Sequence, residues 1–121
     1  MQDTPKNFYK KLLGRIGEKK AEKHLKSVGY KILDKNFTTN LGEIDLVAQD
    51  GEYIVFVEVK TRANTDFGNP SEAVNHKKRQ KYKNLASLYL QKNGKTDCPC
   101  RFDVVEITGK NINHIINAFY V

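Results

Sequence analysis

The stretch from Gly42 to Lys60 of this 121-residue sequence has charged residues near both of its ends: Glu43 and Asp45 near the start, and Glu58 and Lys60 at the finish. Glu58 and Lys60 are separated by one residue, so in an extended strand both side chains project from the same face. Carboxylates that converge beside an apolar strand repel one another and require a compensating cation. Hard divalent cations bind such oxygen ligands, and a nearby lysine can stabilise charge on a phosphate. The pattern predicts a divalent-metal site that acts on phosphate.

The residues around these charges predict an antiparallel hairpin. Strand-forming residues occupy positions 44–49 and 52–60. Between them Asp50 and Gly51 form a dipeptide typical of a two-residue type I′ turn. With this loop, Gln49 would face Glu52.

This predicted register determines which charges face one another. It sets Glu43 opposite Glu58 and Asp45 opposite Phe56. Asp45 and Glu58 would then be diagonal neighbours, close enough to bind one ion between them. Strand alternation would place five side chains on one face: Glu43, Asp45, Phe56, Glu58 and Lys60.

The same spacing also permits a purely structural interpretation. Glu58 and Lys60 could form an ordinary ion pair, and Glu43 could be a solvated charge at a strand end. One-residue spacing of a glutamate and a lysine is common by chance, so the spacing alone leaves both interpretations open.

The composition indicates a single domain covering residues 1–121, with 39% hydrophobic and 29% charged residues. The 21 basic and 14 acidic residues give a formal net charge of +7, which favours a polyanionic partner. The sequence contains no apolar run long enough for a membrane span and no signal-peptide core, so we expect a cytoplasmic protein without a membrane partner. Cys98 and Cys100 are too few for a structural zinc site and too close for a ready disulfide.

Helical periodicity predicts a first helix over residues 7–28. Its inward stripe would consist of Gly14, Gly17, Glu18, Ala21, Leu25 and Val28. The glycines would let the helix approach the sheet closely, and Glu18 would then point toward the charged face of the hairpin. A position at the edge of the helix, with its carboxylate in water, is the alternative for Glu18. A second stripe, formed by Phe8, Leu12 and Ile16, is expected to cover another part of the core.

A second helix is predicted to begin at Asn69 and Pro70, with Glu72 in a capping box, and to extend to Lys92. Six of its residues can donate hydrogen bonds to phosphate: Lys77, Lys78, Arg79, Gln80, Lys81 and Lys83. A row of charges on a helix is equally typical of a solvated face. Between the hairpin and this helix, residues 61–68 are predicted to form a loop.

Three further strands are predicted over residues 30–38, 102–107 and 112–119. The order of helix, strand, hairpin, helix and two strands predicts a small α/β domain with a mixed central sheet flanked by helices. His24 and His114 lack a ligand-spaced partner and are interpreted as structural.

The helix glutamate, the strand aspartate and the following Glu-X-Lys resemble the PD-(D/E)XK nuclease superfamily, particularly archaeal Holliday junction resolvases. The sequence is still more similar to the uncharacterised bacterial YraN-like family. The segments that carry this resemblance are GRIGEKKAEKHL, NFTTNLGEIDLVAQDG, VFVEVKTR, FGNPSEAVNHKK and RFDVVEI. The resemblance implies a restriction-endonuclease-like αβββαβ core.

The resemblance also implies roles for particular residues. Asp45 and Glu58, with the main-chain carbonyl of Val59, would ligate Mg²⁺ or Mn²⁺. Lys60 would position or activate the attacking water, and Glu18 would be the helix acid that completes the site.

The residue before Asp45 is Ile44, where the superfamily motif often has proline, although many members lack that proline. The role of Glu43 is open, although the predicted register places it close enough to assist.

The implied function is metal-dependent hydrolysis of phosphodiester bonds in DNA, including branched or junction DNA. The expected nucleic-acid contacts are Arg62, Lys77, Lys78, Arg79 and Lys81. A noncatalytic DNA-binding or adaptor module is the alternative, and no feature distinguishes DNA from RNA. Because junction-cleaving relatives act as symmetric dimers, the resemblance favours a homodimer.

Overall fold

A computed structural model describes residues 5–62 and 76–119. The elements are α1 (Pro5–Ser27), β1 (Lys31–Thr39), β2 (Gly42–Asp50), β3 (Tyr53–Arg62), α2 (His76–Lys92), β4 (Cys100–Thr108) and β5 (Asn111–Ile115). The predicted order of helix, strand, hairpin, helix and two strands is confirmed. The start predicted for the second helix, at Asn69 and Pro70, lies outside the described residues. None of the described helices is long and apolar enough to cross a membrane.

The five strands form one mixed sheet in the order β1-β2-β3-β4-β5. The pairs β1–β2, β2–β3 and β4–β5 are antiparallel, whereas β3 and β4 are parallel. A parallel pair needs a crossover connection, and α2 lies in that connection. The first six elements therefore have the αβββαβ order of a restriction-endonuclease-like core, and the predicted fold class is confirmed.

Hydrophobic clusters lie on both faces of the sheet. One cluster includes Tyr82, Leu85, Ala86 and Tyr89 of α2, packed with Ile44, Val47, Ile54, Phe56, Phe102, Val104 and Phe119. The other includes Ala21 and Leu25 of α1, packed with Tyr30, Leu46, Ala48, Val55, Val57, Val105 and Ile107. Alternate residues of β3 enter opposite clusters, which explains why this strand is apolar on both sides.

The hairpin is present, but its predicted register is wrong. Asp50 pairs with Tyr53, so the loop consists of Gly51 and Glu52, and Gln49 does not face Glu52. Gly51 has φ of +60° at the first loop position, as in a type II′ turn, in which only this residue needs a positive φ. Asp50 therefore stays in the strand, and the register moves by two positions.

The corrected register changes the facing pairs. Phe56 pairs with Val47, so the predicted pairing of Phe56 with Asp45 is wrong. Continued along the strands, the same register sets Asp45 opposite Glu58 and excludes the predicted pairing of Glu43 with Glu58. The two carboxylates that the resemblance assigns to the metal thus occupy facing positions.

The predicted alternation of β2 also fails near Asp45. Ile44 and Val47 both pack with Phe56 in the α2-side cluster, although strict alternation would put them on opposite faces. Asn36, which has φ of +53°, lies across from Asp45 on β1. The left-handed conformation at Asn36 coincides with this local irregularity of the sheet.

The inward stripe of α1 is present from Gly17 to Leu25. A Cβ atom on Gly17 would lie 1.9 Å from Oγ1 of Thr61, so only glycine permits this close approach of α1 to β3. Ala21 and Leu25 are fully buried. Val28, which was expected to continue the stripe, is 51% exposed because it lies beyond the end of α1.

The predicted second stripe of α1 does not cover the core. Phe8, Leu12 and Ile16 are 62%, 44% and 42% exposed. No residue from 8 to 16 is buried, so the sheet does not reach this half of the helix. The periodicity correctly identified an apolar helix face, but this face is exposed and does not pack against the core.

The remaining boundaries differ slightly from the prediction. Thr61 and Arg62, predicted as the start of a loop over residues 61–68, are the last residues of β3. The other residues of that prediction lie outside the described part of the chain. The last strand ends at Ile115, earlier than predicted. Cys98 and Cys100 are both free, and Cys100 is the first residue of β4.

Candidate metal centre

Asp45 lies where the main-chain pairing of β2 and β3 ends. The last recorded pair joins Leu46 to Val57. Beyond it, the N–H group of Val59 donates a hydrogen bond of 2.8 Å to Oδ2 of Asp45. The Asp45 side chain thus replaces a main-chain acceptor, which fixes its carboxylate between the two strands.

Three carboxylates converge at this point. Ligand atoms of Glu18, Glu43 and Asp45 all lie within 4.8 Å of one another. Glu18 comes from α1, so the helix acid and the strand acid meet as the sequence led us to expect. Glu43, whose role the sequence left open, belongs to the same group. Three carboxylates at this separation fit a hard divalent cation, which takes oxygen ligands.

Glu58 lies outside this three-carboxylate group and has other partners. The hydroxyl of Tyr82 donates to its Oε2 atom. Its Oε1 atom lies 3.1 Å from Nζ of Lys60 and 3.2 Å from Nζ of Lys78. The ion pair between Glu58 and Lys60, proposed above as the structural alternative, is therefore present.

The pKa values of Asp45 and Glu58 shift in opposite directions. Burial raises the pKa of Asp45 to about 8, and the charge of Glu58 acts in the same direction. Burial also opposes ionisation of Glu58, but the Tyr82 hydroxyl and the ammonium groups of Lys78 and Lys60 outweigh it and lower its pKa. The surroundings of the pair therefore favour the neutral form of Asp45 and the ionised form of Glu58.

The electrostatics of Glu18 also favour a cation. Burial raises the pKa of Glu18, and the neighbouring carboxylate of Glu43 raises it further. Asn36, through a side-chain hydrogen bond, and the charge of Arg15 act in the opposite direction without cancelling this effect. A bound divalent cation would remove the repulsion that raises these pKa values, and its binding would release protons.

The two lysines beside Glu58 differ in their proton affinity. Burial disfavours the charged form of Lys60, but hydrogen bonding with Lys78 and the charge of Glu58 raise its pKa overall. Burial and the proximity of Lys60 lower the pKa of Lys78. Lys60 therefore keeps its proton here, and a protonated lysine stabilises negative charge rather than accepting a proton.

The residues predicted to contact nucleic acid differ in their exposure and in the groups that they touch. Lys77 is exposed at the start of α2, whereas the Arg79 guanidinium lies 5.6 Å from the ring centroid of Phe119. Cε of Lys81 packs over Gly42, where an added Cβ atom would lie 2.5 Å away.

Lys78 and Arg62 have more buried positions. Lys78 belongs to the candidate centre through Glu58. Arg62 is partly buried, and its Nε atom has no hydrogen-bond partner among the described residues.

Tyr82 is the residue of this centre that the sequence analysis missed. Its place in the apolar stripe of α2 concealed its hydroxyl, which donates to Glu58. The spacing of four residues between Lys78 and Tyr82 places both on one helix face, and this spacing was the available signal.

A second polar group lies beneath α1. His24 and His114 are not isolated, because Nε2 of His24 lies 3.2 Å from Nδ1 of His114. Nε2 of His114 lies 2.8 Å from the fully buried carboxylate of Asp103. Tyr30 and Arg101 donate to the same carboxylate. This group satisfies a buried charge and joins α1 to β4 and β5, which supports a structural role.

A protein-family model and individual relatives identify the same family. Residues 17–107, which include all the carboxylates described above, match the model of uncharacterised protein family UPF0102. A UPF0102 protein of Thermodesulfovibrio yellowstonii is 51% identical over 108 residues, which is 89% of this chain and 96% of the relative. Another, from Caldanaerobacter subterraneus, is 46% identical over 121 residues and covers 94% of this chain and 99% of the relative. The resemblance to YraN-like proteins is confirmed, and the chain belongs to the uncharacterised protein family UPF0102.

Proposed function

We propose that this protein is a metal-dependent nuclease that hydrolyses phosphodiester bonds in DNA. The observation that carries the proposal is the convergence of Glu18, Glu43 and Asp45 within 4.8 Å. Carboxylates brought so close by two separate elements, with Asp45 raised in pKa to about 8, are poorly stabilised without a cation.

Glu18, Glu43 and Asp45 would hold Mg²⁺ or Mn²⁺. The resemblance adds Glu58 and the carbonyl of Val59 to this ligand set. The ion would supply Lewis-acid polarisation of the phosphate and a lowered pKa for the attacking water.

Lys60 would stabilise the charge that develops on the phosphate. Its ammonium group is partly buried and contacts Glu58, beside Asp45. A preorganised cation in a partly buried site stabilises a transition state more than it would in water. In this protonated form Lys60 would orient the water or the phosphate.

The surface charge supports a polyanionic substrate. The formal net charge is +7, and exposed basic residues of α2 follow directly after Lys78, which contacts the candidate centre. Phosphate contacts of this kind position a strand without reading its bases, so they support DNA binding without a sequence preference. Cleavage of branched DNA and assembly as a homodimer are further parts of the proposal that follow from the family resemblance.

A noncatalytic nucleic-acid-binding module is the second candidate. It is favoured by the partners of Glu58, whose charge is already compensated by Lys60, Lys78 and the hydroxyl of Tyr82. In such a module these contacts would be a structural network, and the protein would bind DNA without cutting it.

The test is cleavage of labelled junction, flap, single-stranded and duplex DNA with Mg²⁺ or Mn²⁺. We expect Asp45→Asn and Lys60→Gln each to lower the rate by about 10²-fold or more, as for other groups that stabilise transition-state charge. Glu52→Gln, in the exposed hairpin loop, is the matched carboxylate control and should cleave normally. Cleavage that persists in Asp45→Asn would assign the activity to another site or a contaminant. Binding of every substrate without cleavage would favour the noncatalytic module.

A further inference from the structure

A groove is lined by residues of α1 and β1, and it includes Glu18 of the candidate centre. Its volume is about 510 Å³. The walls include Leu12, Arg15, Ile16 and Lys19 from α1 and Lys35 and Asn36 from β1, and Glu18 lies at the same wall. Because Glu18 also belongs to the carboxylate group, any molecule in the groove lies next to the proposed metal site.

One wall of the groove is apolar and remains exposed. Leu12 and Ile16 line it. Phe8 is not a lining residue of the groove, but it precedes Leu12 by one turn on the same face of α1. Their side chains are 44%, 42% and 62% exposed. Among the residues that the structure describes, nothing buries the flat ring of Phe8, so it offers a stacking surface.

The other lining groups include three basic residues and two acids. Arg15 and Lys19 lie on the same helix as the apolar wall, and Lys35 faces them from β1. The carboxylate of Glu22 is already paired, at 3.1 Å with Lys26 and at 3.0 Å with Lys35. The groove thus combines an apolar wall with cations that can bind phosphate, and the carboxylate of Glu18 also lines it.

We infer that this groove binds unpaired nucleotides of a nucleic-acid strand. The bases would stack on Phe8 and pack against Leu12, and the phosphates would contact Arg15 and Lys19. Single-stranded nucleic acid is recognised by this combination of aromatic and basic side chains because every base has a π-face and every nucleotide a phosphate. The inference rests on the proposed function and deepens it, because it names a substrate with unpaired bases beside the cleavage site.

Two other occupants fit the groove less well. A twofold pairing of this helix face with a second copy would bring Arg15 and Lys19 near their own equivalents. A lipid surface would cover the exposed ring of Phe8 but would also approach the carboxylates of Glu18 and Glu22. A nucleic-acid strand complements the cations of Arg15 and Lys19, and its unpaired bases can stack on the exposed ring of Phe8.

The experiment compares two oligonucleotides of equal length, roughly ten nucleotides, one of thymidine and one abasic. Fluorescence anisotropy in EDTA measures binding without any need for cleavage. We expect the thymidine strand to bind about 10-fold more tightly than the abasic strand, because stacking of one base gives a factor of roughly 5 to 150. Phe8→Ala should remove this preference and leave abasic binding unchanged. Lys19→Gln should weaken both strands equally.

Val28→Ala is the matched control, since Val28 is an exposed apolar residue (51%) that follows the last residue of α1, at the end of the helix opposite to Phe8. It should bind both strands as the wild type does. Circular dichroism should show that Phe8→Ala stays folded, because the ring of Phe8 is mostly in water.

Three results would overturn the inference. The first is equal affinity for the thymidine and abasic strands. The second is binding to phosphatidylglycerol vesicles that is lost in Phe8→Ala while base dependence is absent. The third is self-association that Phe8→Ala abolishes. Failure of the proposed function looks different: base-dependent binding would persist, but no substrate would be cleaved in Mg²⁺.

Discussion

Asp45→Asn should stabilise the metal-free protein, because Asp45 lies in surroundings that oppose its charge. The folded protein raises the pKa of this carboxyl group from 3.8 to about 8, chiefly through burial. Asparagine is nearly the same size, carries no charge, and keeps an oxygen that can accept the Val59 N–H group. The substitution therefore removes the cost of the acid and retains its hydrogen bond.

The magnitude follows from proton linkage. Below the unfolded pKa of 3.8, Asp45 is protonated in both states, so the acid costs nothing. As the pH rises toward about 8, only the unfolded state loses the proton, and the free energy of unfolding falls. One pKa unit corresponds to about 1.4 kcal/mol, so the roughly 3 units between the unfolded pKa and neutral pH give an upper value of about 4 kcal/mol. Because Asp45 and Glu58 interact, we expect a gain of about 1 to 4 kcal/mol.

The assay is urea denaturation of both proteins in EDTA at several pH values between 4 and 9. Groups unaffected by the substitution contribute equally to both proteins, so the difference in free energy of unfolding isolates Asp45 and its coupling to Glu58. It should be near zero at the acid end, rise with pH and level off near pH 8. A pH-independent difference, or a variant less stable than wild type at neutral pH, would refute the reasoning.

Three further predictions concern the residues around the centre. Gly17→Ala should destabilise the protein by about 1 to 3 kcal/mol, since its Cβ would lie 1.9 Å from Oγ1 of Thr61; Gly14→Ala, with no atom within 4 Å, should be neutral or stabilising in the same denaturation assay. Tyr82→Phe should cost about 1.5 to 3 kcal/mol at neutral pH, because it removes a hydrogen bond to an ionised glutamate. Since that bond lowers the pKa of the glutamate from 4.5, this cost should shrink as the pH falls below that value; an equal cost at all pH values would contradict it. Lys77→Gln should reduce the salt dependence of DNA binding by about one phosphate contact, and an unchanged slope would identify a solvated face.

The sequence predicted the elements well because their signals are local. Periodicity and turn residues defined both helices and the hairpin, and one glycine, Gly17, indicated the close packing of α1 on β3. The register was missed because Gly51 suits either of two hairpin turns, which differ by two positions. The shift of two turns Asp45 and Glu58 from diagonal neighbours into facing positions, so the two carboxylates still interact although β2 is irregular at Asp45.

The remaining differences depend on tertiary structure. Alternation along β2 could not reveal the irregularity opposite Asn36, since a left-handed asparagine has no distinct sequence signal there. The apolar face at Phe8 was recognised, but periodicity does not tell how far a sheet extends beneath a helix. The hydroxyl of Tyr82 reaches Glu58 only because α2 crosses that end of β3.

Calorimetric titration with Mn²⁺ or Mg²⁺ tests most directly whether the carboxylates form a metal site. The wild type should bind the ion with release of protons, since the proton on Asp45 must leave. Asp45→Asn and Glu18→Gln should lose most of this binding, whereas Glu52→Gln should retain it. Equal binding by the wild type and Asp45→Asn would contradict the metal centre and, with it, the proposed nuclease.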